Sequence, residues 1–190
     1  MIAVIELQID ATQWKRLQEM YARASKKAPT ALARALNRAG SKAKTKMKRA
    51  LVPQTGLKSS TINRALKSKN AFGAGGQFVI YSQGGNIRLK FFKPREKGKG
   101  VVAKPWNTPT EYPGAFTRGG RKGKRVPLRF GGEVKRRAGG SRLPIKTVKS
   151  GLFIPKEMVT KQSEAAFYGT AQSELPKELL HQLKFILGKL

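Results

Sequence analysis

Apolar residues recur along this chain with two different periods, and the period changes early. Ile2, Val4, Ile5, Leu7 and Ile9 form a β-branched, roughly alternating run that predicts a first strand. Asp10 or Thr12 can cap a helix over 12–28, which places Trp14, Leu17, Tyr21 and Ala24 on one side. Pro29 is expected to interrupt that helix, Thr30 to cap a second one running to about Leu51, and Pro53 to end it. In the second helix Leu32, Leu36, Ala39, Ala43, Met47 and Ala50 recur at steps of three and four. Arg34, Arg38, Lys42, Lys46 and Arg49 follow the same rhythm out of phase. At about 100° per residue the basic set centres roughly 140° from the apolar set, so one face packs and the other forms a cationic ridge.

Beyond Pro53 the signals are shorter. Ser60 is a cap for a short helix through Leu66. Gly73-Ala74-Gly75-Gly76 lacks the full glycine-rich phosphate-loop spacing and precedes a strand, so it reads as a flexible turn. Strands are expected at 77–83 and 87–92, joined by a hairpin at Gly84-Gly85-Asn86. On such a strand Phe91 and Phe92 point to opposite sides, one to the core and one to a partner. Further short strands fall near 100–104, 114–118, 126–130 and 143–148. Helical periodicity returns over Glu157–Tyr168, and Ser173 can open a last helix with Pro176 in its first turn. The fold class is therefore α+β: an N-terminal strand and two helices on a mostly antiparallel sheet or small barrel, followed by C-terminal helices. One domain over 1–190 is expected, with basic loops near 94–112 and 117–125.

Charge changes this picture most. The 190 residues carry 40 Lys and Arg against 10 Asp and Glu, a net +30. Residues 20–156 hold 34 of those bases and only three acids, whereas both ends are nearly balanced. Disordered basic tails lack apolar residues, but this stretch is interleaved with Phe78-Val79-Ile80-Tyr81, Phe91-Phe92 and Val101-Val102. The charge is thus expected on a folded body beside a polyanion or an acidic partner. Helix faces that are merely solvated mix Glu with Lys, and the ridge has no acid. The candidate polyanion-facing residues are Arg34, Arg38, Lys42, Lys46 and Arg49, then Arg121, Lys122, Lys124, Arg125, Lys135, Arg136 and Arg137. Glu96, Glu111 and Glu133 sit among bases and are expected to be ion-paired.

Enzymatic chemistry has little to work with. There is no Cys, one Asp and one His, so no catalytic, cofactor-binding or metal-binding residues are assigned. Metal-dependent nucleases need clustered carboxylates, and His181 has no second ligand nearby. Gly123-Lys124-Arg125 lacks the spacing and the hydroxyl of a P-loop. Trp14, Trp106, Phe91 and Phe92 are read as core or interface residues ahead of base-stacking ones. The N-terminal run has no basic region ahead of it, unlike a signal peptide, and no apolar stretch reaches the roughly 18 residues that span a bilayer.

Four segments resemble the minor tail protein Z family of lambda-like phages. They are Ala31-Leu32-Ala33-Arg34-Ala35-Leu36-Asn37-Arg38, then Pro113-Gly114-Ala115-Phe116 before a Gly/Arg-rich turn, then Arg142-Leu143-Pro144-Ile145-Lys146 with Gly151 and Pro155, and Leu175-Pro176-Lys177-Glu178-Leu179. Pro53-Gln54-Thr55-Gly56-Leu57 is similar to a turn in a broader group of phage neck and tail-completion proteins. Phe153-Ile154-Pro155 departs from the family's Gly-Pro-Ser at that place, and 94–112 is longer and richer in Lys. The resemblance implies a non-enzymatic virion protein, assembled in the host cytoplasm, that completes the head-proximal end of a non-contractile tail. It implies partners too: further copies in a hexameric ring, tail terminator, tail tube or head-neck connector proteins, the tape-measure end and genomic DNA. The alternative is a stand-alone, sequence-independent nucleic-acid-binding protein of ribosomal or nucleoid type. Against that alternative, the chain has neither zinc-finger spacing nor an RNP1 run.

Overall fold

A computed structural model describes residues 11–72, 77–120 and 124–187. The expected first strand, the glycine turn at 73–76, and the side chains of Trp14, Leu17, Tyr21 and Ala24 lie outside the described residues. The fold is α+β, with antiparallel sheets and no closed barrel among the described residues. Contacts group the chain into two compact units, Met1–Ser41 with Lys69–Val79 and Ala171–Leu190, and Lys42–Ser68 with Ile80–Thr170.

Helix α1 runs over Ala11–Thr55 and contributes to both units. Neither Pro29 nor Pro53 stops it, contrary to expectation. A proline inside a helix removes one N–H and crowds the carbonyl four residues back. Those carbonyls belong to Ser25 and Arg49, both on exposed residues where water can replace the missing donor. The real stop is at Thr55-Gly56. The Thr55 hydroxyl donates to the Leu51 carbonyl at 2.7 Å, and the Gly56 N–H donates to the Val52 carbonyl at 3.0 Å. Gly56 takes φ +75°, the left-handed conformation that ends helices.

In the first unit α1 buries a stripe of small residues. Ala31, Ala35 and Ala39 repeat every four residues, and Gly40 lies beside them. A Cβ on Gly40 would fall 2.2 Å from the Phe78 ring, so this ring rests directly on helix backbone. Leu32, expected on the packed face, is 41% exposed. Asn37 clasps the buried Ala71 at both backbone groups, donating to its carbonyl at 3.0 Å and accepting from its N–H at 2.7 Å. Arg38 pairs with Glu178 at 3.6 Å on helix α4, Lys161–Leu187. That helix also contributes to both units and is continuous where two helices were expected. Pro176 lies inside it, again with an exposed residue, Gln172, four positions back.

The second unit has the main apolar core, built on Met47, Leu51, Leu57, Ile62, Leu66, Leu89, Phe92, Val101, Val134, Leu152 and Ile154. Helix α2, Ser59–Ala65, follows the α1 turn with Lys58, not Ser60, at its cap position. Strand β1, Leu66–Lys69, pairs with β2, Val79–Ser82. The expected hairpin between β2 and 87–92 is therefore absent. Ile87 exchanges backbone hydrogen bonds with Ser150 and Leu152, and Leu89–Phe92 then winds into a 3-10 turn. On that turn Phe92 is buried and Phe91 packs half-buried against the same core, so they do not face opposite sides.

The segment read as a basic loop near 94–112 contains β3, Arg95–Lys97, β4, Gly100–Ala103, and β5, Thr110–Pro113. They form one antiparallel sheet in the order β3-β4-β5. Charged side chains on β3 hid the strand, because an edge strand can carry cations on the face away from the core. Strands β6, Ala115–Phe116, β9, Lys135–Arg137, and β10, Ile145–Thr147, make a second sheet. Strands β7, Arg118–Gly119, and β8, Val126–Pro127, pair across the other basic segment, whose residues 121–123 lie outside the described ones. Helix α3, Ile154–Met158, precedes α4 and starts earlier than the helix expected from Glu157.

Asn37→Ala leaves both Ala71 backbone groups without their partner, and is expected to cost about 1–3 kcal/mol in denaturant unfolding. Leu51→Ala removes a fully buried side chain from the second unit's core, with an expected cost of about 2–5 kcal/mol.

Candidate polyanion-binding surface

The second unit holds 29 Lys and Arg against five Glu, so the placement of each carboxylate decides which cations stay uncompensated. Glu133 is the most heavily engaged. It pairs with Lys135 at 2.9 Å, with Lys90 at 3.7 Å and with Arg88, and it accepts the Thr147 hydroxyl at 3.1 Å. Its carboxyl is lowered to about 2, chiefly by the Lys135 ammonium and then by Thr147 and Arg88. Glu96 accepts the Thr117 N–H and hydroxyl and the Arg118 N–H, and pairs with Arg125. Burial alone would raise its pKa, but the Thr117 hydrogen bonds and the Arg125 charge bring it below the ordinary value.

Glu157 is held by neutral donors. The Trp106 indole N–H reaches one oxygen at 2.8 Å and the Gln54 amide the other at 2.8 Å. Gln54 also accepts the Ser163 N–H, while the Asn107 amide donates to the Pro53 carbonyl at 2.6 Å. The Pro53–Leu57 turn is thus clamped between the Trp106 segment and the start of α4. Glu111 is exposed, with no ion pair among the described residues, unlike Glu96 and Glu133.

The sequence-derived candidates divide accordingly. Arg34, Lys42, Lys46 and Arg49 are exposed on α1, and Arg38 is exposed but tied to Glu178. Lys124 is exposed, whereas Arg125 is drawn to Glu96 and also donates to the Arg118 carbonyl. Lys135 is largely covered and committed to Glu133, with its ammonium 5.3 Å from the Phe130 ring centroid. Arg136 and Arg137 are exposed at a cleft of about 450 Å³ shared with Lys146 and Lys149. Arg121 and Lys122 lie outside the described residues. His181 is exposed, and no group of His, Asp and Glu among the described residues could hold a metal ion.

A second basic group was missed in the sequence. Lys58, Lys93, Arg95, Lys97 and Lys104 converge on a cavity of about 490 Å³. They come from the α2 cap, the end of the 3-10 turn, β3 and the segment after β4, so no single period connects them. The one local signal was the alternation Arg95-Glu96-Lys97, which on a strand sends the bases to one face and the acid to the other.

The family model of prophage minor tail protein Z matches residues 16–190. The chain belongs to the prophage minor tail protein Z family. It is accordingly a phage minor tail structural protein. No curated protein and no solved structure matches the chain significantly. Two of the segments that resembled minor tail protein Z meet in the first unit, where Arg38 of one pairs with Glu178 of the other. No described helix is long and apolar enough to cross a membrane.

Glu133 gives this surface a pH dependence of definite sign. Its folded pKa is depressed, so its contribution is complete above the unfolded carboxyl range near 4.3 and is lost as pH falls towards about 2. Acid titration followed by amide exchange is expected to loosen the β9 and β10 amides over that window. Glu133→Gln is expected to lower the thermal midpoint at neutral pH and to abolish much of this acid step.

Proposed function

We propose that the protein completes the head-proximal end of a non-contractile tail and is required for joining the tail to the head. In this reading further copies assemble into a ring, hexameric by resemblance, against tail terminator, tail tube or head-neck connector proteins. The observation that carries the reading is the folded, uncompensated charge: a unit with 29 bases has turned at least three of its five acids inward. A closed assembly multiplies each such surface around one axis. Cations so arranged hold phosphates without reading sequence, which suits a passage that any stretch of genome, or the tape-measure end, must occupy and leave. The α1 ridge and the Arg136–Arg137 cleft are the surfaces assigned to that contact. A structural role also accounts for Glu96 and Glu133, which serve as counter-charges.

The ridge is tested best at Arg34, Lys46 and Arg49, because Arg38 is engaged by Glu178. Arg34→Glu, Lys46→Glu and Arg49→Glu together are expected to leave the thermal midpoint close to that of the parent protein. Infectious titre in a complementation assay is expected to collapse, with unjoined heads and tails visible by electron microscopy. A normal titre from the triple variant would overturn the assignment. Binding to duplex DNA is expected to be indifferent to sequence and to weaken steeply with salt; operator-like selectivity would overturn the structural reading.

A further inference from the structure

The cavity ringed by Lys58, Lys93, Arg95, Lys97 and Lys104 differs from the clusters around Glu133 and Glu96 in its charge, and from the Arg136–Arg137 cleft in its aromatic lining. Around Glu133 the cations are compensated by a carboxylate between them, and Glu96 compensates Arg125. Here five exposed cations converge, none of the lining residues is acidic, and none of the five has an ion pair among the described residues, Glu111 on the same sheet face opposite Val102 included. Like charges gathered round a concavity repel each other and focus potential into it. The unbound state is therefore the costly one, and an anionic group entering the cavity relieves it.

The shape and floor narrow the class of anion. The floor is apolar, with Phe91, Phe92 and Val102. The backbone is tightly packed beside it, where a Cβ on Gly56 would lie 2.9 Å from the Lys104 carbonyl, and Lys93 takes the left-handed φ +49°. On β3, Arg95 and Lys97 share the cavity face, while Glu96 is turned away to Thr117 and Arg125. A DNA duplex, a convex rod about 20 Å across, presents its phosphates outside a cavity of about 490 Å³ and leaves an apolar floor unused. A single strand would need an open ring face for stacking. Phe92 is buried, and Phe91 is half-buried against the core with the Lys90 ammonium 5.6 Å from its centroid. An extended acidic polypeptide uses both features, with an apolar side chain on the floor and flanking carboxylates on the cations.

We infer that this cavity is a docking site for an acidic segment of a partner protein, seated by one apolar side chain between carboxylates. The inference deepens the proposed function by giving a neck or tail partner a specific place, and rests on that reading only for the partner's being such a protein; its sign follows from the cavity's charge.

Fluorescence anisotropy on the full-length protein with a labelled Glu-Glu-Asp-Leu-Glu-Glu-Asp peptide tests it. Saturable binding is expected, weakening by at least about tenfold in the Arg95→Glu, Lys97→Glu variant. The charge-matched variant Arg64→Glu, Lys67→Glu, away from the cavity, is expected to bind as the parent does. Replacing the peptide's Leu by Gly is expected to weaken binding, and a single-stranded oligonucleotide is expected not to displace the peptide. If the reversed pair fails to fold, Lys58→Gln with Lys104→Gln serves in its place. Equal losses in cavity and control variants would overturn the site as mere charge. Displacement by the oligonucleotide, with its own affinity lost in the cavity variant, would overturn the partner class. Because peptide binding is read on free protein and head joining on particles, failure of one is distinguishable from failure of the other.

Discussion

Glu133 and Glu96 hold the protein's most cationic unit together. Glu133 lies between Arg88, Lys90 and Lys135, which would otherwise repel one another. Glu96 pairs with Arg125 and takes hydrogen bonds from Thr117 and the Arg118 N–H, and each carboxylate is largely covered. A partly covered carboxylate among several cations, as Glu133 is, is stabilised by each of them, while every cation gains one counter-charge shared with its neighbours. Glu133 thereby joins the 3-10 turn, through Arg88 and Lys90, to β9 and β10, through Lys135 and Thr147. Glu96 does the same for β3 and the β7–β8 hairpin. Short strands of two to four residues have few ladder bonds of their own, so these polar ties and the apolar core beneath them share the work of fixing the sheets.

The long helices solve a different problem. Alanine at every fourth position lets the first unit's other segments approach the α1 backbone closely, as Phe78 does at Gly40. Small residues bury little area each, and specific contacts add definition. Asn37 and Arg38, adjacent on α1, bind Ala71 and Glu178 respectively. Segments that carry the family resemblance therefore make packing contacts in this fold. What remains exposed is the opposite row of bases, of which Arg38 pairs with Glu178.

Much of this was legible along the chain. The 3.6-residue rhythm of α1 separated a packed row from a basic row, and Ala39, Ala43 and Met47 are buried while Arg34, Lys46 and Arg49 are exposed. The α+β class, β4 near 100–104 and β10 near 143–148 were readable from β-branched runs between turn residues. The helix ends were misread at all three prolines, because a lost amide is tolerated wherever solvent can reach the freed carbonyl. The hairpin at Gly84–Asn86 was misread for another reason. A turn signal says that the chain reverses, but not which strand it meets, and Ile87 meets Ser150 and Leu152 far downstream.

The sequence by itself determined the excess of positive charge, its concentration in the midsection and the helical ridge. Each of these is a matter of composition or of local period, which neighbours along the chain fully specify. Only the tertiary structure decided which cations are compensated. Arg125 and Lys135 are held by carboxylates 29 and two residues away, while Lys58, Lys93, Arg95, Lys97 and Lys104 are gathered from four segments around one cavity. Coulomb interaction depends on distance through space, and that distance exists only once the chain has folded.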